Sequence, residues 1–260
     1  EGISHEVCSL AGTLQLGKLN VFYDDNGISI DGEVDGWFTD DTAARFRSYG
    51  WHVVEGVDGH DSQALEEATQ AALAESERPS LLICKTVIGK GSPNKQGTHG
   101  VHGAPLGEDE VIATRESLGW QGDAFEIPEE IYLQWDGRER GAVFQQEWEL
   151  LSQQYRQQYP EMAAELDRRL RGELPSEWET ACGEINARIT AEAASIATRK
   201  ASQGAIEDLA ALLPEFFGGS ADLTGSNLTN WSACRPFSAE SPDGNYLSYG
   251  VREFGMAGIM

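Results

Sequence analysis

The sequence predicts an α/β fold of parallel strands flanked by helices, and three observations carry that expectation. Short apolar runs at residues 19–23, 51–57 and 81–84 alternate with segments whose apolar residues recur at helical spacing. That alternation is the pattern of a parallel α/β sheet. The run Leu81-Leu82-Ile83-Cys84 is continuous rather than alternating, as in a strand covered on both faces. A further helix-then-strand unit begins near Ser195. Hydrophobic residues make up 40% of the 260-residue chain, enough for a packed core in one large or two modest domains.

Taken in order, Ile3, Val7, Leu10, Ala11 and Leu14 fall on one helical face, with Gly17 as a plausible stop. Residues 19–23 read as a short buried strand ending at the carboxylates Asp24 and Asp25. The next residues, Asn26-Gly27-Ile28-Ser29-Ile30-Asp31-Gly32, admit two uses. Asn26-Gly27 is a strong hairpin-turn dipeptide, because both residues tolerate positive φ. The segment also suits a metal–diphosphate loop. An Asn side-chain oxygen and a backbone carbonyl two residues on can face Mg²⁺ or Ca²⁺, with phosphate oxygens completing the shell. The carboxyl end of a strand is where α/β sheets hold such ligands. The spacing does not fit an EF-hand.

Thr39 or Asp40 can cap a helix that runs through Tyr49 and closes at Gly50. Trp51, Val53, Val54 and Val57 then form a strand ending in Asp58-Gly59-His60-Asp61. Asp61 or Ser62 starts a helix with Leu65, Ala68, Ala72 and Leu73 on its apolar face, and Pro79 introduces the strand at 81–84. Residues 89–107 hold six glycines, two prolines and two histidines without periodicity. Loops of this length are often functional. A helix at 108–118 follows. From 128 to about 190 the chain is rich in Gln, Glu and Arg, carries Trp135, Phe144, Trp148, Tyr155 and Tyr159, and is punctuated by Pro160 and Pro175. It reads as a helical linker and cover. Ile196, Ala205, Ile206, Leu209 and Leu212 then share a helix ended by Pro214, residues 216–222 form a strand running into a turn, and another helix begins at 251–256.

The net charge of −24 disfavours nucleic acid and anionic membranes, and no Lys/Arg cluster offsets it, so neither partner is expected. Cys8, Cys84, Cys182 and Cys234 form no CxxC, which leaves zinc and redox motifs unsupported, and Cys84 reads as a small buried hydrophobe. With no transmembrane-length run and no signal peptide in view, a cytoplasmic protein with free thiols is expected. The chain opens within a helical pattern without Met and stops within another, which suggests an internal piece of a longer protein.

Five further residues could carry chemistry. His99 and His102 in the Gly-rich loop could be solvated, or could donate hydrogen bonds to phosphate or sugar oxygens. Metal binding is less favoured, since no Cys or further His lies nearby. Arg199 and Lys200 sit near a helix start, where cations oppose the macrodipole. They could be a surface pair or a phosphate site. Glu253, also near a helix start, could be a first-turn carboxylate or, against apolar surface, a proton donor.

The chain resembles the transketolase family of thiamine-diphosphate enzymes. The matching stretches are Glu1-Gly2-Ile3-Ser4-His5-Glu6, the loop at 23–32, Gly36-Trp37-Phe38-Thr39-Asp40-Asp41-Thr42, residues 88–106, Arg199-Lys200-Ala201-Ser202, and residues 218–229 and 249–256. They occur in family order along nearly the whole chain. The resemblance implies a thiamine-diphosphate-binding fold with parts of two consecutive domains. Residues 1–127 would belong to the diphosphate-binding domain, 128–194 to a helical cover and linker, and 195–260 to the start of the pyrimidine-binding domain. It implies transfer of a two-carbon ketol unit from a ketose phosphate to an aldose phosphate through a thiamine diphosphate carbanion.

By the same resemblance, the Asn26 side chain and the Ile28 carbonyl would ligate Mg²⁺ or Ca²⁺, and His102 would reach the cofactor diphosphate and the sugar. Arg199 and Ser226 would bind the substrate phosphate, Asp222 would support the cofactor or the substrate, and Glu253 would hydrogen-bond N1′ of the aminopyrimidine. The family's Gly-Asp-Gly element should lie just before Glu1 and its aromatic pyrimidine pocket beyond Met260. The resemblance also implies a homodimer of the full-length protein, and with those elements outside the chain the isolated chain is expected to be inactive. The alternatives are another thiamine-diphosphate enzyme, of the dihydroxyacetone synthase or deoxyxylulose-phosphate synthase type, or a non-catalytic metal- or phosphate-binding α/β module.

Overall fold

The computed structural model describes residues 2–260, which divide into two compact units. The first runs to Gln121 and takes back Ser238–Pro242 and Tyr249–Met260; the second comprises Gly122–Phe237 and Asp243–Ser248.

The first unit is built on a parallel sheet. It begins with helix α1 (Gly2–Thr13), strand β1 (Asn20–Asp25), a small antiparallel pair β2 (Ile28–Ser29) and β3 (Gly32–Glu33), and helix α2 (Thr42–Ser48). Strand β4 (His52–Asp58), helix α3 (Ser62–Ala74), strand β5 (Ser80–Lys85) and helix α4 (Glu108–Leu118) follow. The strand order is β1-β5-β4, all parallel, so the continuously apolar β5 lies in the centre. Alternation along β5 sends its side chains to opposite faces. Leu81 and Ile83 join Ala11, Ala43 and Trp51 in one cluster, whereas Leu82 and Cys84 join Val57, Ala68 and Ala72 in the other. Fully burying a side chain such as Leu82 stabilises by about 1.5–3 kcal/mol.

Close contacts fix the helices on the sheet. Trp51 donates its indole N–H to the Cys8 carbonyl at 2.8 Å, tying α1 to the start of β4. Gly12 permits the approach of α1 to the end of α2, since a Cβ there would lie 1.8 Å from the Tyr49 carbonyl oxygen. Asp61 caps α3 by accepting from the Gln63 N–H at 2.9 Å.

Several expectations change. The cap of α2 is Asp41, which accepts from the Ala44 N–H at 2.8 Å, rather than Thr39 or Asp40. Strand β1 is an edge strand of the three, and Phe22 is 54% exposed instead of buried. Leu73 is 61% exposed, because the buried stripe of α3 is only wide enough for Ala68 and Ala72. Asn26-Gly27 is not the hairpin turn: the β2–β3 pair turns at Ile30-Asp31, with Ser29 opposite Gly32.

The second unit holds the helices α5 (Glu129–Trp135), α6 (Arg138–Gln158), α7 (Pro160–Leu170), α8 (Trp178–Glu192) and α9 (Thr198–Leu212). Pro160 opens α7 at its first position, where its missing N–H costs nothing. Ile196 precedes α9 rather than lying on it. Strands β6 (Gly218–Ser220) and β7 (Tyr246–Ser248) pair in parallel, with the short helix α10 (Thr224–Asn227) between them in sequence. The chain then returns to the first unit as α11 (Glu253–Ile259). No helix among the described residues is long and apolar enough to cross a membrane.

Candidate active site

The carboxyl ends of β1, β4 and β5 form one edge, and polar contacts organise it. Lys85 pairs with Asp25, its register partner on β1, and the Thr86 hydroxyl donates to Asp24. On the other side, Gly59 donates its N–H to the Lys85 carbonyl at 2.9 Å, and the Val87 N–H donates to His60 Nε2 at 2.8 Å. The last bond makes Nε2 the unprotonated nitrogen of His60.

Asn26 follows directly on this edge. Its Oδ1 accepts from the Ile28 N–H at 2.9 Å, an Asx turn that bends the chain out of β1. Gly27 takes φ +70°, the left-handed region that glycine enters without cost, and its carbonyl accepts from the Val34 N–H at 3.0 Å. The donor set fits a hard cation shared with phosphate. Asn26 Oδ1 keeps a second lone pair and the Ile28 carbonyl is a neutral oxygen ligand, the types Mg²⁺ and Ca²⁺ accept. Asp24 and Asp25 are meanwhile engaged by Thr86 and Lys85. Among the described residues, no group of three or more His, Cys, Asp or Glu side chains is placed to hold a metal by itself.

His102 ends a short 3₁₀ turn, His99–Val101, and its N–H donates to the His99 carbonyl at 3.0 Å. Both histidines are exposed. The loop that carries them is folded on itself. Gly97 donates to the Ile88 carbonyl at 2.8 Å, and Lys95 Nζ donates to the Leu106 carbonyl at 2.6 Å. Gly89 lies so close to Val101 that a Cβ there would come within 2.8 Å of a valine methyl. Sequence reasoning missed the anchor of this loop, Glu110. Its carboxylate, on the first turn of α4, accepts from the Ser92 hydroxyl and from both the N–H (2.9 Å) and the side-chain amide (2.9 Å) of Asn94. These donors, the Ser92 hydroxyl first, hold the Glu110 carboxyl below its ordinary range.

Glu253 is the first residue of α11 and is exposed rather than set against apolar surface. Its helix is fixed to α1 by its neighbours. The Arg252 guanidinium donates to the Ser9 hydroxyl at 3.0 Å, and the Gly255 N–H donates to the Glu6 carboxylate at 2.6 Å.

Asn26, Ile28, His102 and Glu253 thus belong to the first unit, although no hydrogen bond or ion pair among the described residues joins Asn26, His102 and Glu253 to one another. Arg199, Asp222 and Ser226 belong to the second. Arg199 is exposed on the first turn of α9, as its sequence position predicts. Ser226 lies on α10, whose neighbourhood is fixed by Tyr246: its hydroxyl bonds Thr224 Oγ1 at 2.8 Å and Thr229 Oγ1 at 2.7 Å. Two side chains of α9 reach the same loop. Gln203 donates to the Asn230 carbonyl at 3.1 Å, and Glu207 accepts from the Ser232 N–H at 2.8 Å. Asp222 takes φ +60° at the turn after β6, an uncommon conformation that Asp tolerates better than most residues.

Comparison with known proteins gives two family matches. Residues 1–175 match the transketolase thiamine diphosphate binding domain, and residues 194–260 match the transketolase pyrimidine binding domain. The chain is 59% identical to transketolase 1 of Pasteurella multocida and 58% identical to transketolase 1 of Escherichia coli, each over 100% of its own length and 39% of the relative's. It therefore spans about two fifths of the length of these relatives. Among solved structures, it resembles a transketolase from Pichia stipitis in complex with sedoheptulose 7-phosphate (TM-score 0.90, 40% identity), covering 100% of this chain and 39% of that one. A transketolase from Leishmania mexicana is similar at a TM-score of 0.89 and 36% identity, over 100% of this chain and 38% of that one.

Proposed function

Because the chain belongs to the transketolase family, we propose that the whole protein transfers a two-carbon ketol unit from a ketose phosphate to an aldose phosphate. Thiamine diphosphate and a divalent cation, Mg²⁺ or Ca²⁺, are its cofactors on this reading. The observation that carries it is similarity to transketolases over the full 260 residues, at 58–59% identity. A different thiamine-diphosphate enzyme or a non-catalytic module is less well supported, since both relatives compared are transketolases across every element of this chain.

When bound, thiamine diphosphate supplies the electron sink for breaking a carbon–carbon bond beside a carbonyl. The residues of this chain supply position and proton control. Asn26 Oδ1 and the Ile28 carbonyl hold the cation that neutralises the diphosphate. His102 donates a hydrogen bond toward the diphosphate and the reacting end of the sugar. Glu253 hydrogen-bonds N1′ of the aminopyrimidine and takes part in proton control there. Arg199 and Ser226 bind the phosphate of the sugar, a group the Arg fork suits, and Asp222 supports the cofactor or the substrate. The complex of the Pichia stipitis relative with sedoheptulose 7-phosphate supports a sugar phosphate as substrate.

On this reading residues 1–127 belong to the diphosphate-binding domain, 128–194 to a helical cover and linker, and 195–260 to the pyrimidine-binding domain. The full-length enzyme is a cytoplasmic homodimer. The 260 residues alone, spanning 39% of the relatives' length, are expected to be inactive. Calorimetry on the full-length protein tests the assignment. Thiamine diphosphate should bind only with Mg²⁺ or Ca²⁺ present, and a ketose phosphate with an aldose phosphate should then be turned over. Cation-independent binding without ketol transfer would leave the non-catalytic module as the better account.

A further inference from the structure

We propose that Glu110 is a positioning residue that sets the geometry of the His102 loop. The proposal rests on the reading of His102 as a residue that contacts cofactor and sugar. Glu110 is 7% exposed and Ser92, which donates to it, is 1% exposed. A carboxylate in such a place is unusual unless its oxygens are satisfied. Here Oε1 accepts from the Ser92 hydroxyl and the Asn94 N–H, and Oε2 accepts from the Asn94 side-chain amide. Removing the carboxylate would leave these donors, one of them deeply buried, without a partner.

The anchor acts through a short chain of contacts. Glu110 fixes residues 92–94 to α4. The same arm of the loop receives the other arm at two places, Val101 against Gly89 and Lys95 on the Leu106 carbonyl, and within that arm Gln96 accepts from the Gly91 N–H at 3.1 Å and closes its turn. His102 follows Val101 directly and is held by the His99 carbonyl. Among the described residues no side-chain hydrogen bond holds His102, so its backbone position depends on the arm that Glu110 anchors. The loop needs its glycines for these close approaches and cannot be rigid by composition. A buried, multiply bonded carboxylate supplies the rigidity.

The test uses the full-length protein with two readouts. In the cofactor-free protein, Glu110→Ala should speed amide hydrogen exchange at Gly97 and His102 as well as at Asn94, by roughly tenfold, as local opening becomes easier. Faster exchange at Asn94 alone would overturn the proposal. In ketol transfer, Glu110→Ala should lower kcat/KM by roughly 10- to 100-fold, the scale of an ångström-sized misplacement. Added to His102→Ala, the same substitution should cost less than about twofold more, since coupled residues are not additive. An equal loss on both backgrounds would mark a purely structural role and overturn the proposal. Should Glu110→Ala fail to fold, Glu110→Gln, which keeps the shape and one acceptor, carries the same two comparisons with smaller losses. An unchanged kcat/KM for His102→Ala alone would instead overturn the reading of His102.

Discussion

The Ile28 N–H donates to the Asn26 side-chain oxygen at 2.9 Å, so the two residues assigned to one cation are also bonded to each other. The bond turns the chain sharply after β1 and leaves Asn26 Oδ1 one lone pair. Asn26→Ala removes a ligand oxygen and the turn together. Thiamine diphosphate affinity in the presence of Mg²⁺ should fall roughly 10- to 100-fold, the range of one contact to a charged partner. Asn26→Asp keeps an acceptor for the Ile28 N–H and should lose less. Calorimetry across a Mg²⁺ titration would show both, and an Asn26→Ala protein with unchanged cation dependence would remove Asn26 from the site.

Leu82 and Leu73 separate burial from mere hydrophobicity. Leu82 is 0% exposed between β5 and α3, whereas Leu73 points largely to solvent. Leu82→Ala should cost about 2–5 kcal/mol, as transfer and cavity terms combine. Leu73→Ala should stay within about 0.5 kcal/mol of wild type. Denaturant midpoints of the two variants give the comparison, and similar losses at both sites would contradict the packing described.

That pair also marks what sequence can and cannot convey. The continuous run Leu81-Leu82-Ile83-Cys84 announces a central strand because only burial on both faces tolerates it. Helix α4 spans 108–118 as its pattern predicts. Leu73 and Phe22 look equally apolar, yet exposure depends on the width of a helix stripe and on which strand lies at an edge, and both are set by tertiary pairing. Asn26-Gly27 has the chemistry of a hairpin turn, but the Asx bond uses it as a corner and moves the turn to Ile30-Asp31. The part-buried Asn26 and the exposed His102, Arg199 and Glu253 were legible through family resemblance. Glu110 was not, because it stands beside Glu108 and Asp109 at an ordinary acidic helix start, and only its inward direction distinguishes it.

An ion network on α7 gives a pH dependence. Arg168 donates to Glu165 at 2.7 Å and to Glu215 at 2.9 Å, and Arg169 also reaches Glu165 at 2.7 Å. The two guanidinium groups, Arg168 first, hold the Glu165 carboxyl at about 2, against an ordinary 4.5. A carboxyl depressed in the folded state contributes stability that is complete above its unfolded value and lost as pH falls through the folded one. The loss should therefore run from about pH 4.5 down to about pH 2. Between those limits the denaturant midpoint of wild type should fall more steeply than that of Glu165→Gln, which does not titrate there. Parallel pH profiles would show that the network contributes nothing.

Arg199 and Ser226 should govern affinity for the sugar phosphate and leave the cofactor alone. Their elements meet the same loop, through Gln203 and Glu207 from α9 and through the Tyr246 hydroxyl beside α10. A phosphate distant from the reacting carbons is bound to similar degree in ground and transition states, so losing its partner raises KM with little effect on kcat. In the full-length enzyme, Arg199→Ala should raise KM for a ketose phosphate roughly 10- to 100-fold, as expected for a charge-assisted contact. KM for the unphosphorylated ketose and affinity for thiamine diphosphate should stay near wild type. Tyr246→Phe removes the hydroxyl that Thr224 and Thr229 share, and should raise KM in the same sense by a smaller factor. Steady-state kinetics with phosphorylated and unphosphorylated donors would decide it, since equal losses on both donors would place Arg199 outside phosphate recognition.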